Sequence, residues 1–534
     1  MRFKKVSLPG LIIAGFICIF VIAAISALLF YAPGLNPADL WQDPYYRHVT
    51  KFSFYQAFLS TIISVGLAIP VAHALSRRDF FLKPFLLKLF ATTLVLPVLV
   101  GVFGLLSIYG NSGLIAQLLL TVEQELPFSI YGLNGILLAH VFFNLPFATR
   151  LLLQSLQSIP VEHHKLSTHL GISHWNKFKL VEWPCLRQQL AHVCGLVFML
   201  CFTSFATVMA LGGGPKATTI ELAIYQAIKF DFDLQSGALL ALWQIVLCGT
   251  LTIVIQRFSR LIPVTATASK ANVYLFSDNR AAKIWDFVWI SLVLVLVVPP
   301  LMMVVINGLN AEFINIVTAS AFWGALVNSF SIAIFAAVIA LFAGFFMLIT
   351  SRSWRLIGLH FKADKLELVA TIILVTPGLV ISTGLFLLLR NITDIFNMAM
   401  VIVIAVNALM ALPYVIKTLA QPMLQTAQQY DQLCASLGMF GWSRFYLIEW
   451  RAIKRPIVQA FSISFVLSMG DLSAIALFGS QDFRTLPLYL LQLLGSYQMD
   501  AAAVVSLFLL VLSITIFSCI ENISSNALKN NVRG

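Results

Sequence analysis

Twelve apolar runs, each long enough to cross a bilayer, limit what this chain can fold into. They lie near residues 11–31, 54–75, 89–109, 132–153, 191–211, 237–256, 285–306, 322–350, 367–389, 397–418, 457–478 and 501–521. A membrane-crossing helix needs about 17–25 mostly apolar residues. Little polar chain is left between the runs. Hydrophobic residues make up 60% of the 534 and charged residues only 10%, where soluble domains carry about 25% charged residues. So few charges cannot cover several soluble domains, and a chain this apolar does not stay disordered in water. The sequence predicts an all-α polytopic membrane protein of about twelve transmembrane helices.

The net charge of +12 raises the question of a nucleic-acid partner, and its distribution answers it. Arg2, Lys4 and Lys5 precede the first run, which places the amino terminus in the cytoplasm. The loops then alternate sides. Only Arg47, Lys51, Lys216, Lys229, Arg390 and Arg484 fall outside, which is 6 of 34 basic residues and leaves 28 inside. This asymmetry is the positive-inside rule, so the basic excess reports topology and predicts no nucleic-acid partner. Both termini come out cytoplasmic. The first run is about 21 residues long without a clear small-residue cleavage site, and reads as a retained span. None of the seven cysteines falls on the outer side and no CxxC pair exists, so neither a disulfide nor a zinc site is expected.

The chain repeats itself. Shifted by 267 residues, VEHHKLSTHLGISHWNKFKLVEWPCLRQQL (161–190) falls on QQYDQLCASLGMFGWSRFYLIEWRAIKRPI (428–457). Leu170-Gly171 matches Leu437-Gly438, Trp175 matches Trp442, and Phe178 matches Phe445. Val181-Glu182-Trp183 matches Ile448-Glu449-Trp450. Farther upstream an offset of 280 pairs Pro97 with Pro377 and Gly104 with Gly384. Six spans per repeat is an even number, so the halves share one orientation, as in transporters built from parallel repeats. The boundaries are 1–256 for the first half, 257–284 for a polar cytoplasmic linker, and 285–534 for the second half.

Each repeated loop (154–190 and 420–456) is cytoplasmic and joins the fourth and fifth spans of its half. Residues Glu162 to Leu170 can form a short helix after Pro160, and Gly171, a glycine able to take the left-handed conformation, is expected to end it. Leu166 and Leu170 share one face, as do Leu433 and Leu437 ahead of Gly438. A short apolar-faced helix projecting from a membrane bundle suits a groove in a partner. The same residues could also serve loop packing alone.

Both loops resemble the EAA loop of ABC importer permeases. In that family the signature glycine is followed, after nine residues, by an aliphatic-x-Leu-Pro ending. Here Gly171 leads to Val181-Glu182-Trp183-Pro184, and Gly438 to Ile448-Glu449-Trp450-Arg451. The opening Glu-Ala-Ala is Lys165-Leu166-Ser167 in one loop and Gln432-Leu433-Cys434 in the other, so the family's acidic contact is absent. LVLPVLVGVFGLLSIYG (94–110), ILLAHVFFNLPFATRLLLQ (136–154), SFATVMALGGGPKATTIELAIYQA (204–227) and DFRTLPLYL (482–490) resemble permeases of thiamine and thiamine-pyrophosphate importers over essentially the full length. The resemblance implies a type I importer permease in the inner membrane, with two copies of a cytosolic ABC ATPase on the two loops. It also implies a periplasmic substrate-binding protein, and thiamine or its phosphate esters as cargo. On this reading the chain has no catalytic residue and no cofactor. Ferric-ion permeases share the fused layout and are the alternative cargo class. An ion-driven secondary transporter is a further alternative, but the spans hold no evident carboxylate pair.

LGGGPKATT (211–219) is not a phosphate-binding loop, because no glycine directly precedes Lys216 and the segment lies on the outer side. His163, His164 and His169 cluster without an acidic or cysteine ligand at metal spacing, so solvated loop histidines are expected. Asp471 is the one carboxylate well inside a run. It either reaches water near the outer end of its span or lies on the translocation path. Its repeat partner is Ser204. Pro97 and Pro377, in equivalent third spans, free backbone carbonyls there and complete the candidate path residues.

Overall fold

The structure, a computed structural model, describes residues 8–32, 41–93, 95–258, 280–371, 376–390, 395–439 and 441–531, and among these it contains helices and no strand. The first half comprises α1 (Leu8–Tyr31), α2 (Pro44–Arg77), α3 (Lys83–Thr93), α4 (Val98–Tyr109), α5 (Leu114–Leu120) and α6 (Leu133–Gln157). It continues with α7 (Val161–His169), α8 (His174–Lys177), α9 (Trp183–Phe202), α10 (Phe205–Leu211), α11 (Ile220–Lys229) and α12 (Leu234–Phe258). The second half comprises α13 (Arg280–Gly308), α14 (Phe313–Thr318), α15 (Ser320–Leu356), α16 (His360–Thr371), α17 (Gly378–Leu389) and α18 (Ile395–Ser436). It ends with α19 (Trp442–Arg444), α20 (Trp450–Gly470), α21 (Ser473–Phe478), α22 (Leu486–Gly495) and α23 (Met499–Asn531).

Eleven helical stretches among the described residues are long and apolar enough to cross a membrane. Four expected runs are not single helices. Run 89–109 is interrupted at Pro97, and run 367–389 is split between α16 and α17, with 372–375 outside the described residues. Pro97 (φ −54°, ψ 131°) and Pro377 (φ −56°, ψ 147°) sit directly ahead of the next helix. Both prolines have extended ψ, outside the helical region, so each is a break and not a kink. The fifth spans also break, at Thr203-Ser204 and at Asp471-Leu472. Of the proposed linker, residues 257–258 and 280–284 are helical and 259–279 lie outside the described residues.

The two halves interlock through their first spans. α1 packs on α15 and α17 of the second half, while α13 packs on α2 and α4 of the first. Repeat-equivalent glycines permit this. A Cβ on Gly104 would lie 2.5 Å from the Pro300 carbonyl oxygen, and one on Gly384 would lie 2.5 Å from that of Ala24. Only hydrogen at the α-carbon lets the backbones approach so closely, which is how helices pack where no hydrophobic force acts between them. At the end bearing the repeated loops, the crossing is also ionic. Buried Asp286 of α13 accepts from Arg77 Nη2 at 2.8 Å and from Arg78 Nε at 2.7 Å.

Candidate functional site

The repeated loops divide into an outward and an inward set of side chains. On α7, Leu166 is 58% exposed and Leu170 65% exposed; Trp175 on α8 is 72% exposed. In the second loop Leu433 is 49% and Leu437 64% exposed. Gly171 (φ +62°) and Gly438 (φ +66°) both take the left-handed conformation, with open space where a Cβ would stand. That conformation turns the chain out of the helix and leaves the leucine pair facing away from the bundle. Pro184 and Trp450 are exposed as well. Pro184 occupies the first turn of α9, where its missing N–H costs nothing. The backbone of Trp442 opens α19; its side chain lies outside the described residues.

The inward set begins with a π-helical turn in each loop, Phe178–Glu182 and Phe445–Glu449. The wider turn carries the glutamate at its end toward the bundle, and Glu182 and Glu449 are both buried. Glu182 Oε2 lies 2.8 Å from His73 Nε2 at the end of α2. Glu449 Oε1 accepts from Arg352 Nη2 at 2.8 Å, near the end of α15, and from Arg444 Nε at 2.9 Å. Arg444 also donates to Asp431 at 2.6 Å. Phe178 packs on His73 and Trp183, and Phe445 on Phe345 and Trp450. Val181 and Ile448 are half-buried beside them. Each loop is thus tied to the second span of its half, and the leucine face with Trp175 is left exposed.

The loops differ where the fourth span enters them. Ser158 and Pro160 separate α6 from α7, whereas α18 runs without interruption from Ile395 to Ser436 through Pro413 and Pro422. Ala427 stands at the Pro160 position, so nothing there ends the helix. His163 and His169 are exposed, but His164 is half-buried. Burial first, and then the Lys177 ammonium, push the His164 imidazole below its ordinary range. No His, Cys, Asp and Glu group suited to a metal occurs among the described residues.

Three of the four path residues meet at one level of the bundle. Gly470, next to Asp471, is backed by Pro97: a Cβ there would lie 3.2 Å from Pro97 Cα. Gly378, next to Pro377, faces Ser473, whose Oγ would lie 2.9 Å from an added Cβ. Ser473 Oγ donates to Asp471 Oδ1 at 2.8 Å, and the Ser473 and Ala474 amides donate to the same carboxylate at 3.3 Å. The half-buried carboxylate therefore caps α21. Ser204 opens the equivalent helix α10, which packs along α4, and makes no capping bond.

Side chains of neighbouring spans secure both breaks, from α18 in the second half and from α2 and α6 in the first. A helix end leaves carbonyls without intrahelical partners, and in a membrane interior they need side-chain donors. Asn407 Nδ2 donates to the Ser468 carbonyl at 3.2 Å and to its hydroxyl at 3.0 Å. In the first half Gln56 Nε2 donates to the Cys201 carbonyl at 2.9 Å, and Asn144 reaches Cys201 Sγ at 3.2 Å. Glu221 escaped the sequence reading because its segment, 218–229, is too short to span. It lies on α11, 3% exposed, and accepts from Gln244 at 3.1 Å. The apolar spacing of Ile220, Ala223, Ile224 and Ala227 was the available signal for that helix.

Residues 360–529 match the family described as binding-protein-dependent transport system inner membrane component. The chain is 46% identical to the thiamine transport system permease protein ThiP of Escherichia coli K12 over 98% of each chain. It is 41% identical to the Haemophilus influenzae protein of that name, over 96% of this chain and 95% of the relative. A putative ferric transport system permease protein of H. influenzae, FbpB 1, is 23% identical over 90% of this chain and 79% of its own.

Proposed function

The chain belongs to the inner-membrane components of binding-protein-dependent transport systems, and from that premise we propose that it imports thiamine and its phosphate esters. It is the permease subunit, with both transmembrane halves on one chain. Near-full-length identity of 46% to a thiamine permease carries the cargo assignment, and the 23% identity to a ferric permease leaves iron as the weaker reading.

Two copies of a cytosolic ATPase dock on the leucine faces of α7 and the end of α18, with Trp175 beside the first. A substrate-binding protein delivers cargo at the opposite side. Both termini and both loops are cytoplasmic, in line with the 28-to-6 distribution of basic residues. The contacts of Glu182 with His73 and of Glu449 with Arg352 make each loop move with its second span, so a pull on the loop reaches the bundle. The path runs past the breaks at Pro97, Pro377, Ser204 and Asp471. Nucleotide shifts the halves between inward- and outward-facing states only by its differential affinity for them, about 5.5 kcal/mol for a near-complete switch.

Deletion of the chain from its host tests the cargo assignment. Uptake of labelled thiamine should fall to background and return with the gene. Unchanged thiamine uptake together with lost iron uptake would move the assignment to ferric ion.

A further inference from the structure

α11 and α22 are equivalent ten-residue helices, each following a threonine, Thr219 or Thr485. They are rooted alike. The Ile220 amide donates to Ser53 Oγ at 3.0 Å, and the Leu486 amide donates to Ser329 Oγ at 2.7 Å. Ser53 lies on α2 and Ser329 on α15, so each root is fixed within its own half. Gln244 of α12 strengthens the first root through Glu221.

The tips differ. α11 ends in Lys229, whose Nζ donates to the carbonyls of Leu477 at 3.2 Å and Gly479 at 3.1 Å. These carbonyls close α21, in the opposite half, at the end of the bundle away from the repeated loops. The last carbonyls of a helix have no partner within it, and a charged donor makes a stronger bond to them than a neutral one. α22 ends at the matching place in Gly495, which has no side chain. The next residue, Ser496, turns its hydroxyl back onto the Gln492 and Leu493 carbonyls of its own helix at 3.0 and 3.1 Å. Among the described residues, the tip hydrogen bonds that cross between halves are therefore those of Lys229, while α22 meets α4 by packing.

We propose that Lys229 is a latch between the two halves, holding shut the end of the path remote from the coupling loops and releasing when that end opens. It is a positioning residue, and its role rests on the permease reading above. Without the latch, the state open at that end becomes easier to reach, and the ATPase can cycle without waiting for the binding protein. The loss is of coupling and not of assembly, because both roots remain.

The test uses the full chain with its ATPase in lipid nanodiscs and vesicles, comparing the unaltered protein, Lys229→Met and Lys229→Arg. ATP hydrolysis without binding protein should rise about fivefold or more in Lys229→Met, and more ATP should be used per cargo molecule imported. Lys229→Arg, which keeps the charge and the donors, should stay near the unaltered protein. Unchanged hydrolysis and coupling in Lys229→Met would overturn the latch. Should Lys229→Met fail to assemble, Lys229→Cys with Ser480→Cys, joined by a bis-methanethiosulfonate of lysine length, provides a second arm. The joined protein should lose uptake and regain it on reduction; uptake indifferent to the link would overturn the proposal. No ATP-driven uptake by the unaltered complex would instead strike the permease reading itself, and the latch with it.

Discussion

Arg352 donates to Glu449 at 2.8 Å, joining the end of α15 to the π-helical turn of the second loop where His73 stands 2.8 Å from Glu182 in the first. The two anchors occupy equivalent places but differ in charge. A guanidinium stays charged, whereas an imidazole can be neutral.

Removing the carboxylates should therefore have unequal effects. Glu449→Ala leaves Arg352 facing a buried gap and weakens the loop locally by about 2 kcal/mol. Glu182→Ala leaves an imidazole, which has no obligatory charge and at most two ring donors to satisfy where a guanidinium has five, and the effect is smaller. Limited trypsin digestion at Arg451 and Lys454 measures the first case, and digestion at Lys179 and Arg187 the second. The nicking rate should rise by tenfold or so with Glu449→Ala and less with Glu182→Ala. Equal rises would contradict the charge argument.

Gly171→Val and Gly438→Val each meet a backbone penalty of about 1 kcal/mol or more, because valine is poorly suited to positive φ. No neighbouring atom adds a clash at either site. The strain acts on different helices. α7 is a nine-residue helix bounded by Pro160 and Gly171, while Leu433 and Leu437 end a helix of 42 residues. Retention of the ATPase on the purified permease should fall more with Gly171→Val. The Gly438 site, close to exposed Arg451 and Lys454, should show the greater dependence on salt. Full retention in both variants would refute the docking assignment.

Some of this arrangement can be read from the sequence and some cannot. Hydropathy locates the membrane-crossing runs because burial in lipid demands long apolar stretches. Pro97 and Pro377 are legible as sites for a break because proline disfavours helix interiors, although Pro413 and Pro422 stay within α18. The breaks at Ser204 and Asp471 carry no such mark; they depend on Gln56, Asn144 and Asn407 from other spans. α11 and α22 are too short to register as spans, which hid Glu221 and gave Lys229 no partner. The exchange of first spans was also hidden, since an apolar face does not specify which half it covers. The leucine faces and glycine stops were readable because each is local. The inward glutamates looked equivalent to the outward leucines, since a repeat records both packing and surface.

Gly104 and Gly384 should resist enlargement. Gly104→Leu and Gly384→Leu push a side chain into the carbonyls of Pro300 and Ala24, and overpacking of this kind costs about 1–3 kcal/mol. The thermal unfolding midpoint in detergent should drop for both. An unchanged midpoint would mean that the first spans are not held by these crossings.

Asp471→Asn keeps an oxygen that can accept from Ser473 and so preserves the start of α21. Asp471→Ala removes the cap and costs about 1 kcal/mol. If the carboxylate lies on the path, Asn should raise the KM for the thiazolium cation while the ATPase remains bound. Uptake unchanged in Asn, with lowered stability in Ala, would confine Asp471 to capping.

The central claim is that this chain, driven by a separate ATPase through two loop helices, carries thiamine across the membrane. Labelled thiamine uptake into vesicles holding the reconstituted complex tests it most directly. Uptake should require ATP and the binding protein, be displaced by unlabelled thiamine and its phosphates, and ignore ferric ion and a polyamine. Uptake independent of ATP, or displaced by ferric ion and not by thiamine, would contradict the account.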